Sequence, residues 1–156
     1  MSDIDALIDD FDTLNERVKN AVEAVGPDIA QVMYATAVKN APVKTGRLRQ
    51  SLTTAKAIIE RDDDKDEVFI GATTNLDYAI YVEYGTGTKG DPSVPHVPKD
   101  YWWAPNPEYD PSDPKSRKFI KWYAQAPNPF MGRALKQTTD VATRMMVEGI
   151  RVFEDD

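Results

Sequence analysis

Cysteine is absent from the 156 residues. Disulfides, zinc–thiolate sites and thiol nucleophiles are therefore excluded, and stability must come from packing. This suits folding in a reducing cytoplasm. Histidine is nearly absent as well: His96 is the only one, so multi-histidine metal sites are excluded. No run of roughly 18 apolar residues exists, so no membrane span is expected. The start, Met1 to Asp12, is acidic and lacks the basic-then-apolar pattern of a secretory signal. Positive charge is in deficit, with a formal net charge of −7. Proteins that hold nucleic acid neutralise phosphates with an excess of Lys and Arg, so tight wrapping of DNA is not expected. The same charge suits a surface that DNA slides past, or simply solubility.

What remains has the length and apolar content of one soluble domain, residues 1–156. Its first 25 residues predict an amphipathic helix. Ile4, Phe11, Val18 and Val25 recur every seven residues; Leu7, Leu14 and Ala21 interleave, and Ile8 and Val22 widen the stripe. Asp5, Asp9, Asp10, Asp12, Glu16 and Glu23 occupy the opposite face. Such a helix lies on its own domain or on a neighbouring subunit. Gly26-Pro27 is expected to break or bend it, with Pro27 opening a second helix that Asn40-Ala41-Pro42 ends.

Leu52 to Glu60 and Val68 to Gly71 read as two strands of a hairpin around the polar turn Asp62 to Asp66. Asp77 to Gly85 predicts a short helix with Asp77 as cap and Gly85 as terminator. Residues 87–127 then gather eight prolines and the aromatics Tyr101, Trp102, Trp103, Tyr109, Phe119, Trp122 and Tyr123. So many aromatics argue against a plain linker. The segment is expected to be an extended insertion, either an arm packing on a neighbour or a lid on its own domain. Asn128 and Pro129 open a final core helix reaching about Phe153.

Several chemical motifs fail on spacing. Gly85, Gly87 and Gly90 imitate a dinucleotide loop, but Pro92, Pro95 and Pro98 forbid the helix that must follow. Asp62, Asp64 and Asp66 imitate a calcium loop, but Glu67 stands where glycine is required and Thr73 where glutamate is. No cofactor or metal site is expected. A basic stretch, Lys39, Lys44, Arg47, Arg49 and Lys56, contains no acid; it is a solvated face, a contact for DNA, or a match for the acidic face of another copy.

Three segments in order carry a resemblance: Ala41 to Leu52 (APVKTGRLRQSL), Tyr78 to Thr86 (YAIYVEYGT) and Pro129 to Leu135 (PFMGRAL). Together they resemble the head–tail joining family of long-tailed bacteriophages and prophages, the neck, tail-completion or minor tail components. The resemblance implies an α+β fold, a small antiparallel β-sheet packed by N-terminal and C-terminal helices. It implies a non-enzymatic virion protein assembled in the host cytoplasm. That protein forms a ring, sixfold favoured, at the head–tail junction, contacts neighbouring neck and tail proteins, and lets DNA pass without specific binding.

On this reading Thr45 and Gly46 shape a turn that lets Arg47 and Arg49 point outward. Glu83, in an apolar and aromatic helix beginning near Tyr78 and Tyr81, needs a partner such as an arginine of the first segment. Gly85 ends that helix, and Pro129 and Phe130 anchor the last one. Trp102, Trp103 and Trp122 are interface candidates of the insertion. The competing readings are a small acidic enzyme using His96, Asp100 or Glu108, and an acidic regulator that mimics DNA.

Overall fold

In the computed structural model the described residues are 3–43, 46–62, 65–106 and 108–153. The chain divides into two compact units, residues 1–75 with 130–156, and residues 76–129. The architecture is α+β, as expected, with long helices near both ends and two separate two-stranded antiparallel sheets.

The first unit is built on helix α1, Asp3–Asn40. The expected break at Gly26-Pro27 does not occur: Pro27 lies inside a single helix of 38 residues. A proline costs a helix one hydrogen bond, the one its amide would give to the carbonyl four residues back. Here both Pro27 and Glu23 are exposed, so water can take that carbonyl. Packing on both flanks, at Ala21 before the proline and at Ile29, Ala30 and Ala37 after it, holds the helix through the defect.

Beyond Ala41 a short helix α2, Arg47–Ser51, leads into strand β1, Leu52–Asp62. Its N-cap is Gly46, in the left-handed region at φ 74°; Thr45, expected to shape this turn with it, lies outside the described residues. Strand β2, Lys65–Thr74, returns antiparallel, with Leu52 opposite Thr74 and Ile59 opposite Glu67. Ser51 and Thr74 close the open end through a 2.7 Å hydroxyl–hydroxyl hydrogen bond. The hairpin packs on α1 with a glycine on each element opposite a large side chain on the other. A Cβ on Gly26 would stand 3.3 Å from Ile70, and one on Gly71 would stand 3.1 Å from the Met33 sulfur.

The last helix, α4, spans Phe130–Val152, one residue later than expected at its start. It runs antiparallel along the second half of α1. Gly149 lies against Val25 and Ala21. At the other end the Asn40 amide donates to Gln137 at 3.0 Å, and Arg133 donates to the Asn40 carbonyl at 3.3 Å. Small residues meet in this seam, Gly149 against Ala21, and Ala21 and Ala134 are fully buried. Buried Thr138 turns its hydroxyl back to the Ala134 carbonyl at 2.8 Å, so no polar atom is stranded.

The second unit holds helix α3, Ala79–Tyr84, and then a single 3₁₀ turn, Gly87–Lys89. Asp77 does not cap α3; Tyr78 stands at the N-cap and makes no side-chain capping bond. The unit also contains a hairpin that proline density concealed: strands β3, Tyr101–Pro105, and β4, Phe119–Tyr123. In β3 the only proline is the last residue, where a missing ladder donor costs least.

Phe130 is 1% exposed and is the largest fully buried side chain among the described residues. Phe130→Ala is expected to lower stability by about 3–5 kcal/mol, measured by urea unfolding followed by far-ultraviolet circular dichroism.

Candidate functional site

The first unit presents two contrasting ends. From Ile4 to Val18 the apolar stripe of α1 is open to solvent: Ile4, Leu7, Ile8, Phe11, Leu14 and Val18 are all exposed, Phe11 by 61%. The stripe is first buried at Ala21. Hence the predicted amphipathic helix does exist, but only its later part lies on its own unit. Asp9, Asp10 and Asp12 are exposed on the same segment.

The opposite end of α1 is basic. The Arg49 guanidinium is half-buried and donates to the carbonyl of Ala41 at 3.0 Å and of Lys39 at 3.5 Å. It thus satisfies carbonyls at the helix C-terminus, where a cation is also favoured by the helix dipole. The outward direction expected for Arg49 is not taken; Arg47 is exposed as expected, and Val43 stands exposed nearby in sequence. Of the basic stretch, Lys44 and the Lys56 side chain lie outside the described residues.

In the second unit α3 has its polarity reversed. Ala79 and Glu83 are buried, while Ile80, Tyr81 and Tyr84 are 53%, 58% and 40% exposed. Tyr78, which precedes the helix, is exposed as well. The helix thus turns an apolar and aromatic face outward.

Gly85 and Gly87 follow, and their geometry explains the glycine run that resembled a nucleotide loop. Both have positive φ, 72° and 61°. A Cβ on Gly85 would stand 2.5 Å from the Gln125 carbonyl oxygen, and one on Gly87 would run into the Lys99 carbonyl oxygen. These glycines admit a passing backbone. The Thr86 and Gln125 backbones bond to each other there, at 2.8 and 3.2 Å. Nearby, the Thr88 amide donates to the Lys99 carbonyl at 3.2 Å.

The β3–β4 ribbon sorts its aromatics by period two. Tyr101 faces Tyr123, Trp102 faces Trp122, Trp103 faces Lys121 and Pro105 faces Phe119. Trp102, Ala104, Ile120 and Trp122 form one side, of which the first three are half-buried. The other side is open: Tyr101, Trp103, Phe119 and Tyr123 are 47%, 59%, 50% and 62% exposed. Lys121 lies among them, its ammonium 3.5 Å from the Tyr101 ring centre and 5.2 Å from that of Tyr123. Cation–π attraction thus keeps a positive charge on an aromatic surface. The alternation of Tyr101 and Trp103, and of Phe119, Lys121 and Tyr123, was the signal for this face in the sequence.

Carboxylate turns shape the connections around the ribbon. Asp91 accepts the Ser93 hydroxyl at 2.7 Å and its amide at 2.9 Å, and these bonds hold its pKa below the ordinary value. Asp110 is lowered in the same way by the Ser112 hydroxyl and amide. A depressed carboxylate stabilises the fold above its ordinary pKa and loses that effect as pH falls through the lowered one. Asp110 is exposed and Asp91 is in contact with solvent, so the gain is local to the turns.

His96 and Asp100 also serve turns. His96 Nδ1 lies 2.6 Å from the Val94 carbonyl, and Asp100 accepts the Thr88 hydroxyl at 2.6 Å. Glu108 is exposed.

Residues 5–85 match the family model described as "Bacteriophage HK97-gp10, putative tail-component", just over half of the chain. The Ala41–Leu52 segment lies inside the matched span, as does the Tyr78 segment as far as Gly85. No curated protein and no solved structure matches the chain closely enough to count as similar.

All three tryptophans, Trp102, Trp103 and Trp122, belong to the second unit, so tryptophan fluorescence reports on it. Gly87→Ala is expected to lower stability by more than about 1 kcal/mol, read as a lower urea midpoint of the fluorescence transition, because the added methyl meets backbone and not a movable side chain. An unchanged midpoint would show that the backbone can yield at this crossing.

Proposed function

The chain belongs to the bacteriophage HK97 gp10-like family of tail components, and from that premise we propose that it is a structural protein of the phage neck or tail. Copies join into a ring, sixfold favoured, at the head–tail junction around the DNA channel. The observation that carries this reading is the reversed polarity of α3. Within the matched span, a helix that buries Ala79 and Glu83 and exposes Ile80, Tyr81 and Tyr84 is built for contact with another protein.

The remaining candidate residues take interface roles on this reading. Tyr78 and Tyr81 supply aromatic contact area, as do Trp103 and Trp122 from the ribbon. Trp102 backs the ribbon from its half-buried side. Arg47 offers an exposed charge just after the turn at Gly46. Arg49 fixes that turn to the end of α1. Glu83 and Gly85 hold α3 in the orientation that exposes its apolar side, and Pro129 and Phe130 set the start of α4. A net charge of −7 suits a protein past which DNA must move, because a channel of like charge does not hold the duplex. The work is assembly and passage, with no substrate turned over. Neighbouring neck and tail proteins would cover whatever surface the ring leaves open, and the mature location would be the virion, after assembly in the host cytoplasm.

Light scattering across a concentration series, with negative-stain imaging, tests the reading. The expected result is a mass that rises with concentration and ring-shaped particles at the upper end. Ile80→Ser with Tyr81→Ser is expected to shift the curve to higher concentration by roughly tenfold or more. A strictly monomeric mass at every concentration would count against self-assembly.

A further inference from the structure

Two exposed surfaces of this chain have opposite charge and similar reach. The first is the free part of α1. Residues 4–18 present Ile4, Leu7, Phe11, Leu14 and Val18 along one stripe, all exposed. At about 1.5 Å per residue this arm is roughly 22 Å long. It carries exposed Asp9, Asp10 and Asp12. A helix of this length without a packed face has little stability of its own, because helices in proteins draw most of it from tertiary contact.

The second surface is the open side of the β3–β4 ribbon, with Tyr101, Trp103, Phe119 and Tyr123 around Lys121. Lys115, Arg117, Lys118 and Lys121 run through its second strand and the approach to it, with no acid between them. Five-residue strands extend about 17 Å, which is comparable to the arm. A two-stranded ribbon is itself marginal in water and gains from a cover.

We propose that the α1 arm of one copy docks on the aromatic ribbon of a second copy. The stripe around Phe11 and Leu14 covers the rings, and Asp10 and Asp12, one on each flank of Phe11, come within reach of Lys121. Charge selects this pairing. Two arms side by side would bring acidic segments together, and two ribbons would bring lysines together; only arm on ribbon joins opposite signs. The contact is heterologous, each copy giving one arm and accepting one, which is the kind of contact that closes into rings. The inference rests on the ring reading above and names the joint.

The lack of native cysteine makes the test clean, because an introduced thiol is the only one in its chain. Asn15→Cys labels the flank of the arm and Pro105→Cys the end of the ribbon; both positions are exposed. Full-length copies of the two variants are mixed and treated with a short bismaleimide. The expected product is a cross-linked pair in the mixture and none from either variant alone. Pairs from Asn15→Cys alone would overturn the proposal in favour of a coiled coil of arms, and pairs from Pro105→Cys alone in favour of ribbon on ribbon. No cross-link in any tube, while the unmodified chain oligomerises by light scattering, would sink the arm-on-ribbon joint and leave the ring reading intact. A chain that never oligomerises would sink the ring reading itself.

A second arm of the experiment uses Phe11→Asp with Leu14→Asp and, separately, Lys118→Glu with Lys121→Glu. All four side chains are exposed, and far-ultraviolet circular dichroism verifies that the helices remain. Each pair of changes is expected to weaken association by roughly tenfold or more. Mixing the two variants should restore heterodimers and nothing larger, since one retains a ribbon and the other an arm. Association unaffected by either pair would refute the joint.

Discussion

The first unit depends on how closely α1 can approach its neighbours. Dispersion attraction acts only over contact distances, so the helix needs small residues wherever another element crosses it. It has them on two sides. Ala21 on α1 and Gly149 on α4 let those two helices come close, and Gly26 on α1 and Gly71 on β2 do the same for the β1–β2 hairpin. The large residue that fills this unit, Phe130, sits at the start of α4 and not in the middle of the seam. The continuity of α1 through Pro27 follows from the same contacts, because a helix gripped before and after a defect has no cheaper alternative.

The second unit solves a different problem. Its elements are too short to bury a core between them, and Ala79 and Ala124 are its only buried apolar side chains larger than glycine among the described residues. Order comes instead from backbone crossings at Gly85 and Gly87, from carboxylate turns at Asp91 and Asp110, and from paired rings across the ribbon. That economy leaves most of its aromatic area facing outward. A unit built this way spends its apolar residues on its surface, which is where a component of an assembly needs them.

Much of this was legible in the residues. The β1–β2 hairpin followed from two Thr- and Ile-rich runs around an acidic turn, and α4 from apolar steps of three and four. Gly85 as the end of α3 followed from its place after Tyr84. Other features depend on contacts that a linear pattern does not carry. The proline rule is local, so it could not register that α4 and the hairpin hold both flanks of Pro27. The density of prolines from 92 to 114 hid two strands whose alternation is complete within five residues each. Arg49 looked like an exposed charge because the carbonyls it satisfies, at Lys39 and Ala41, become reachable only after the chain turns. The stripe from Ile4 to Val18 was visible from the start, but periodicity alone says that a face is apolar and not whether its own chain covers it.

One helix that is packed for half its length and bare for the rest has a consequence for exchange with solvent. Amide protons beyond Ala21 are shielded by the α4 seam and open only with the whole unit, whereas those near Ile4 open whenever the end frays. The free chain therefore carries a steep gradient of deuterium uptake along a single uninterrupted element. Anything that lays a surface over the bare part flattens that gradient from the tip inward. The isotope pattern of α1 becomes a record of whether the protein is alone or assembled, legible even inside a particle too large for other solution methods.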